Sequence, residues 1–191
     1  MGCVHLHLAV EDADISRDVV VPNEITLAML HRVIQEAFGW MDYHLHEFTK
    51  GGKRYSSDPQ EDVIDEPALD SNLVTLGEVL KRKGATLDYV YDFGDWNEVT
   101  IKHMGTLKRY ETALFAVHGP NMIEDCMGMG GMEEIQKIVK QKRSAKYKHL
   151  KAWLAEAFDR TPEEALAEPS VAELIEKVEM EVAAVMEAEE K

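Results

Sequence analysis

The chain has 191 residues, of which 45% are hydrophobic, enough for one sizeable core with material left for a helical appendage. Its formal net charge of −15 repels phosphate backbones, so direct nucleic-acid binding is not expected. Two cysteines are too few for a disulfide framework, and no run of about 18 apolar residues predicts a membrane span. With no signal-like start either, a cytoplasmic protein without membrane contact is expected.

The first segments predict an antiparallel hairpin followed by a helix. Alternating apolar residues from Val4 to Val10 indicate a half-buried strand, and a second strand is expected from Arg17 to Val21. Thr26 is a suitable N-cap for the helix, whose apolar positions recur about every 3.6 residues as far as Phe38. Gly39 then suits the left-handed conformation that ends a helix.

Another strand pair is expected directly after this helix. Leu45 and Phe48 are predicted to enter the core, and the two glycines between Lys50 and Lys53 accept the positive φ angles of a tight turn. Residues 56–72 contain two prolines and six acidic residues, a composition that predicts a loop.

A short helix within residues 73–83 precedes the last predicted hairpin. The tip of this hairpin carries Asp92, Asp95 and Trp96, and Gly94 is expected there at a positive φ. The six strands and two helices predict an α+β fold, with a mostly antiparallel sheet and one main packed helix, as in a β-grasp-like protein. We expect this domain to span residues 1–131 and a C-terminal helical extension, residues 132–191, to pack on it.

The extension is divided by charge. Residues 137–151 hold seven Lys or Arg and no acid, whereas residues 156–191 hold twelve acids and three bases, so these segments are expected to fold back on each other. Capping boxes predict helix starts at Thr161 and Ser170. The apolar stripe of the last helix, from Val171 to Val185, packs within the chain, or it contacts a protein partner or a second copy in a homodimer.

Histidines and aspartates on the two later hairpins are candidate metal ligands. His44 and His46 lie two residues apart, so their imidazoles face one side of a strand. Asp92, Asp95 or His103 from the other hairpin would complete a nitrogen and oxygen sphere of the kind that zinc, manganese or iron accepts.

Non-metal interpretations of the same residues stay open. His44 and Asp42 would fix the turn after Trp40 through local hydrogen bonds. Alternatively, Trp40, Tyr91 and Trp96 would line a small-molecule pocket beside paired carboxylates.

The segment before the last third of the chain offers two further possibilities. Its glycines, Gly128, Gly130 and Gly131, would expose backbone amides that bind an anion at a helix N-terminus. Cys126 as a nucleophile would need a nearby base such as His118, whereas most isolated cysteines are packing or turn residues.

Three segments carry a resemblance to a known family. Residues 39–48 and 88–96 together resemble the central signature of the plasmid-Ri ORF-3-like proteins, also labelled transposon-passenger or resolvase-associated proteins, and residues 124–131 loosely match the family's Glu-Asp-Cys-Gly-Gly turn. The resemblance extends from about Val4 to about Gly131. Ile15 to Asp18 depart from it, since family members usually carry Trp-Arg-Arg there. It implies no activity, because the family's activity is itself unassigned.

Three functions remain. The favoured one is a non-catalytic intracellular interaction module without a cofactor, linked to mobile elements only by the family's label. The second is a small metal-dependent hydrolase or nuclease that uses the four residues His44, His46, Asp92 and Asp95. The third is a small-molecule binding domain. The eight candidate residues of these sites are Trp40, Asp42, His44, His46, Tyr91, Asp92, Asp95 and Trp96.

Overall fold

The computed structural model describes residues 2–59, 67–108 and 114–189, and within them the chain forms one sheet of eight strands and six helices. The strands are β1 Cys3–Val10, β2 Ser16–Pro22, β3 His46–Lys50, β4 Lys53–Ser56, β5 Leu69–Asp70, β6 Thr86–Tyr91, β7 Asn97–Leu107 and β8 Leu114–His118. The helices are α1 Leu27–Phe38, α2 Leu76–Val79, α3 Gly128–Val139, α4 Ala145–Phe158, α5 Pro162–Ala165 and α6 Val171–Glu189. In this described part of the chain, no helix has both the length and the apolar character that crossing a membrane requires.

The sheet follows the order β5-β4-β3-β6-β7-β1-β2-β8. Every neighbouring pair is antiparallel except β4 and β5, which confirms the α+β class and the mostly antiparallel sheet. Strands β5 and β8 add to the six predicted strands, and β5 lies within the segment predicted as a loop, of which residues 60–66 are outside the described residues. The β-grasp comparison stays a prediction.

Helix α1 ends where the sequence predicts. The Thr26 hydroxyl accepts a hydrogen bond from Met29 N–H at 3.2 Å, and Gly39 adopts a left-handed φ of 76° directly after the last turn. The buried face of α1 packs into a single apolar cluster that also contains the alternate residues of β1, such as Leu6 and Leu8. The predicted turn between β3 and β4 is confirmed too, since both of its glycines have positive φ.

Two local predictions are wrong. Leu45, expected in the core, is 49% exposed, because β3 begins one residue later and buries His46 and Phe48 on its inner face. Gly94 has no positive φ, whereas Asp92 does, at 58°. Asp92 tolerates this conformation because its own carboxylate accepts the Gly94 N–H at 2.8 Å.

The C-terminal helices pack on the sheet domain. Three apolar residues of α6, Leu174, Val178 and Val182, are buried in the cluster that also holds residues of α1 and the sheet. Val171 is instead exposed, and the side chain of Val185 lies outside the described residues. Since α1 and α6 both bury apolar faces, the expected single packed helix describes only part of the core. The division into two domains and a dimer contact through α6 stay predictions.

Contacts between the C-terminal helices agree in part with the prediction that the basic and acidic segments fold back on each other. Lys142, from the basic run, lies 2.7 Å from Glu163 of the acidic segment, and the Tyr147 hydroxyl also donates to that carboxylate. The predicted capping box at Thr161 is confirmed. The expected domain boundary between residues 131 and 132 falls inside α3.

Arg17 is fully buried at the junction of β2, α1 and the segment after β8. All five N–H groups of its guanidinium have acceptors: the carbonyl oxygens of Ala37, Ser16, His118 and Pro120, and the Asn121 side chain. The guanidinium also lies 5.3 Å from the centre of the Phe38 ring. Burial lowers the pKa of Arg17 to about 10, which leaves it charged at neutral pH.

We expect Arg17→Met to lower the free energy of unfolding by about 3 kcal/mol or more, because it leaves several buried carbonyls unpaired. The free energy of unfolding of Arg17→Lys should lie between those of the wild type and Arg17→Met, since lysine has three donors but not the planar guanidinium. The measurement is urea unfolding. Arg32→Gln is the control, because Arg32 is half exposed in its ion pair with Glu181 and its loss should cost under about 1 kcal/mol. Equal losses for Arg17→Met and Arg32→Gln would contradict the prediction.

Candidate functional site

Three segments meet at one end of the sheet. They are the loop that follows α1, the β6–β7 hairpin tip and the segment that leads into α3. The hairpin tip and the loop are joined by a backbone hydrogen bond from Asp92 N–H to the Leu45 carbonyl at 2.9 Å. The loop and the third segment are joined by Met41 N–H, which donates to Glu124 Oε1 at 2.7 Å.

Four polar groups from these segments face one another, and we call them the carboxylate pit: His44, Asp92, Glu124 and Asp125. His44 Nε2 lies 3.2 Å from Asp125 Oδ1, 3.7 Å from Asp92 Oδ2 and 3.7 Å from Glu124 Oε2. Among the described residues, His44, Asp92 and Asp125 form a group whose potential ligand atoms all lie within 4.8 Å of one another. The pit therefore offers one imidazole nitrogen and three carboxylates.

Two atoms of the pit are buried without a hydrogen-bond partner among the described residues. They are His44 Nε2 and Glu124 Oε2. Glu124 is 2% exposed, so water does not solvate its second oxygen freely. A buried polar atom without a partner costs about 1–3 kcal/mol, and more when it is charged, so a cation or a water molecule bound between these two atoms would stabilise the pit.

The other oxygen of Glu124 is fixed by Tyr91. The Tyr91 hydroxyl donates to Glu124 Oε1 at 2.9 Å and accepts a hydrogen bond from Tyr43 N–H at 2.9 Å. Burial, with the Glu124 contact as the second cause, raises the pKa of Tyr91 well above its usual range. The hydroxyl is therefore a proton donor at neutral pH, and it aims Glu124 Oε2 at His44.

Left-handed backbone is concentrated around the pit. Of the seven described non-glycine residues with positive φ, five lie on the three segments that build it: Asp42, Asp92, Trp96, Asp125 and Met127. Aspartate tolerates this conformation, but it is unusual for large side chains such as Trp96 and Met127. Such backbone is held in place by the surrounding structure and is frequent at functional sites.

A buried hydrogen-bond network lies behind the loop. His31 of α1 contacts Asp42 Oδ1 at 2.7 Å and the Tyr89 hydroxyl at 2.8 Å, and Gln35 also donates to Tyr89. The hydrogen bond from His31 lowers the pKa of Asp42, so Asp42 is a carboxylate at neutral pH. If Nε2 of His31 donates to Asp42, its Nδ1 accepts the Tyr89 hydroxyl proton. Asp42 is thus fixed by α1 and not by His44.

His46 packs against this network and lies outside the pit, and its Nε2 has no hydrogen-bond partner among the described residues. Its ring stacks on that of His31, with centroids 3.5 Å apart. Burial, reinforced by the nearby His31, lowers the pKa of His46 to about 3. His46 is therefore neutral at physiological pH.

The structure groups two of the four predicted metal ligands, His44 and Asp92. Asp95 instead accepts the Met127 N–H at 2.9 Å, so its carboxylate occupies the N-terminus of α3, where an anion was expected to bind. His103 lies on β7 opposite Leu6 of β1, outside the described group of potential ligand atoms.

The three aromatic candidates do not share one open pocket. Trp40 is buried against Tyr91, with ring centroids 5.0 Å apart. Trp96 is 58% exposed and contacts Phe93 at the hairpin tip.

Sequence reasoning missed Glu124 and Asp125. They belong to a segment about thirty residues from the hairpin, for which the sequence suggested a family turn, an anion site or a cysteine nucleophile but no metal ligand. The available signals were the adjacent acids ahead of a glycine-rich helix start and the match to the family's Glu-Asp-Cys turn. Burial raises the pKa of Cys126 in the same segment to about 12, so it is a thiol and not an activated nucleophile. The base considered for it, His118, pairs with Asp14 at 2.8 Å.

The chain belongs to the family of plasmid pRiA4b ORF-3-like proteins, since the family model matches residues 3–165. It is 37% identical over 111 residues to the uncharacterized protein y4hQ of Sinorhizobium fredii (strain NBRC 101917 / NGR234), a match covering 58% of this chain. That match spans 54%, about half, of the relative's length. A crystal structure of a protein of unknown function, MM3350 from Methanosarcina mazei Go1, is similar with a TM-score of 0.69 and 28% identity, covering 87% of this chain and 97% of that one. The family's function is unknown.

The lowered pKa of His46 predicts a loss of stability in acid. Between its ordinary pKa of 6.5 and its folded value of about 3, the unfolded chain binds a proton that the folded chain does not. The free energy of unfolding is therefore highest above pH 6.5, where His46 is neutral in both states. It falls as the pH is lowered and is about 2 kcal/mol smaller at pH 5. Urea unfolding at pH 7 and pH 5 measures it.

His46→Phe removes this titration and keeps a ring for stacking on His31, so its stability should differ less between the two pH values. His149→Gln is the control, since His149 is exposed on α4 and should leave the wild-type difference unchanged. The same acid loss in both variants would show that His46 is not the responsible group.

Proposed function

We propose that this protein is an interaction module that binds a divalent metal ion in the carboxylate pit. The observation that carries the proposal is the facing pair of buried atoms without hydrogen-bond partners in the described chain, His44 Nε2 and Glu124 Oε2. A cation between them would satisfy both atoms at once. Asp92 and Asp125 would supply the remaining ligand oxygens.

The spacing of the pit suits one ion. Ligands bound at about 2.0–2.2 Å to one metal lie roughly 3.0–3.5 Å apart, because the bonds diverge at tetrahedral or octahedral angles. The separations from His44 Nε2, 3.2 Å to Asp125 and 3.7 Å to the other two carboxylates, are close to that range. Glu124 lies outside the group of atoms that are within 4.8 Å of one another, so its carboxylate would have to rotate toward Asp92 and Asp125 to share the ion.

The chemistry of the donors narrows the choice of ion. Imidazole favours zinc and iron, and carboxylate oxygens favour manganese and magnesium, so a sphere with both suits zinc, manganese or iron(II). Cysteine is not needed, which agrees with the buried and protonated Cys126.

An apolar rim around the pit supports a role in partner binding. Of the eleven large hydrophobic side chains that are exposed in the described residues, six lie on the three segments of the pit: Met41, Tyr43, Leu45, Phe93, Trp96 and Met127. Exposed apolar groups collected at one place are typical of interaction sites. An ion in the pit would fix the three segments relative to one another and so fix the rim.

We expect the chelator-treated protein to bind one Zn²⁺ or Mn²⁺ per chain in calorimetric titration, with Zn²⁺ bound more tightly. His44→Gln and Glu124→Gln should each weaken binding at least about tenfold. Glu124→Gln is a sharp test, because a glutamine oxygen can still accept the bonds from Tyr91 and Met41. The metal should also raise the melting temperature of the wild type.

His118→Gln is the matched control, because His118 is exposed and pairs with Asp14 away from the pit. It should bind metal like the wild type. Absence of stoichiometric binding, or binding that survives both His44→Gln and Glu124→Gln, would overturn the proposal.

A second candidate is a metal-dependent hydrolase. Asp125 is 62% exposed, so the pit has an open side at which water and substrate would reach a bound ion. The Mn²⁺-loaded protein would then release nitrophenolate from bis(p-nitrophenyl) phosphate, and Glu124→Gln would abolish the release. Equal release by wild type and Glu124→Gln would exclude hydrolysis of this phosphodiester at the pit and leave the interaction module.

A further inference from the structure

A groove opens beside the pit, between the first turn of α3 and helix α4. It has a volume of about 440 Å³, within the range of sites for small molecules. Ile135 and Trp153 supply apolar lining, and Gly130 lies on its wall. Asp125 borders both this groove and the pit.

Two neighbouring glycines of α3 differ in what the fold requires of them. A Cβ on Gly131 would lie 1.4 Å from the Cys126 carbonyl oxygen, so glycine is needed there for packing. A Cβ on Gly130 would meet nothing within 4 Å, and Gly130 has no positive φ. Glycine in a helix costs about 0.5–1 kcal/mol relative to alanine, so folding does not explain Gly130. Gly130 therefore lies on an open wall of the groove, where the fold leaves room for a side chain.

The charges along the groove select a cation. Both charged residues in its lining, Asp125 and Glu134, are acidic. Lys146 pairs with Glu134 at 2.7 Å, which leaves Asp125 as the main anchor: one of its oxygens lies 3.2 Å from His44 Nε2, but the side chain is 62% exposed. The N-terminus of α3 does not attract an anionic ligand to the groove, because the Asp95 carboxylate already accepts the Met127 N–H there.

We propose that this groove binds small organic cations that have an aromatic or apolar body and a primary amine. The body lies against Gly130, Ile135 and Trp153, and the ammonium group pairs with the Asp125 carboxylate. The indole of Trp153 adds a surface that attracts both parts of such a ligand. This site goes beyond the metal centre and does not depend on it, although the two share Asp125.

Three matched probes test the charge preference: phenethylamine, 2-phenylethanol and 3-phenylpropionate. They share a phenylethyl body and end in an ammonium, a hydroxyl and a carboxylate. Binding is measured on the chelator-treated full chain by saturation-transfer NMR and tryptophan fluorescence. We expect phenethylamine to bind with a Kd of about 1 mM, as its few atoms allow, and the other two at least fivefold more weakly.

Variants test the location. Gly130→Leu fills the groove and should weaken phenethylamine binding at least tenfold, whereas Gly130→Ala adds one methyl group and should keep both binding and fold. Asp125→Asn should weaken binding about threefold to fivefold, the size of an exposed ion pair. Glu133→Gln is its control, because Glu133 pairs with Lys137 outside the groove.

Equal binding of the three probes, preference for the carboxylate, or full binding by Gly130→Leu would overturn the inference. Since metal is absent from these measurements, failure here leaves the metal centre untouched. Conversely, loss of metal binding in Glu124→Gln leaves phenethylamine binding unchanged.

Discussion

The five hydrogen bonds of the buried Arg17 guanidinium hold together the parts of the chain that build the pit. One bond reaches the Ala37 carbonyl near the end of α1, whose last carbonyls have no partner inside the helix. Others reach residues 118–121, at the end of β8 and directly after it. The end of α1 leads into the loop with His44, and residues 118–121 lead into Glu124 and Asp125. Both walls of the pit therefore extend from segments that Arg17 fixes. The negative end of the α1 dipole also stabilises the positive charge of the Arg17 guanidinium.

The fold was predictable where short windows of sequence decide it. The N-cap of α1 at Thr26, its end at Gly39 and the glycine turn after β3 depend on neighbouring residues only. Strands β5 and β8 were not predictable. Strand β5 has only two residues and so no periodic pattern, and β8 is recognised by its pairing with β2, which lies about one hundred residues away in the sequence. Arg17 lies between Ser16 and Asp18 at the start of β2, and sequence alone does not show that four carbonyls will surround it.

The candidate site was predictable in part for the same reason. His44 and Asp92 stand in the candidate set and lie 3.7 Å apart. His46 was joined to His44 by the two-residue period of a strand, but β3 begins only at His46, so the period does not extend back to His44. Glu124 enters the pit because Tyr91 and Met41 hold one of its oxygens, and these contacts between distant segments leave no pattern in the sequence.

Acidity alone does not distinguish the pit in a chain with a net charge of −15. Histidine meets aspartate repeatedly in this protein, in the pairs His31–Asp42, His7–Asp18 and His118–Asp14. The first two pairs have hydrogen-bond geometry, so the charge of each aspartate is met by a directed donor. In the pit, three carboxylates surround one imidazole, and the facing nitrogen and oxygen make no hydrogen bond. Six further buried side-chain atoms of the described residues also lack a hydrogen-bond partner, so what distinguishes the pit is that such a nitrogen and such an oxygen face each other beside two more carboxylates. A cation bound between them would pair both atoms.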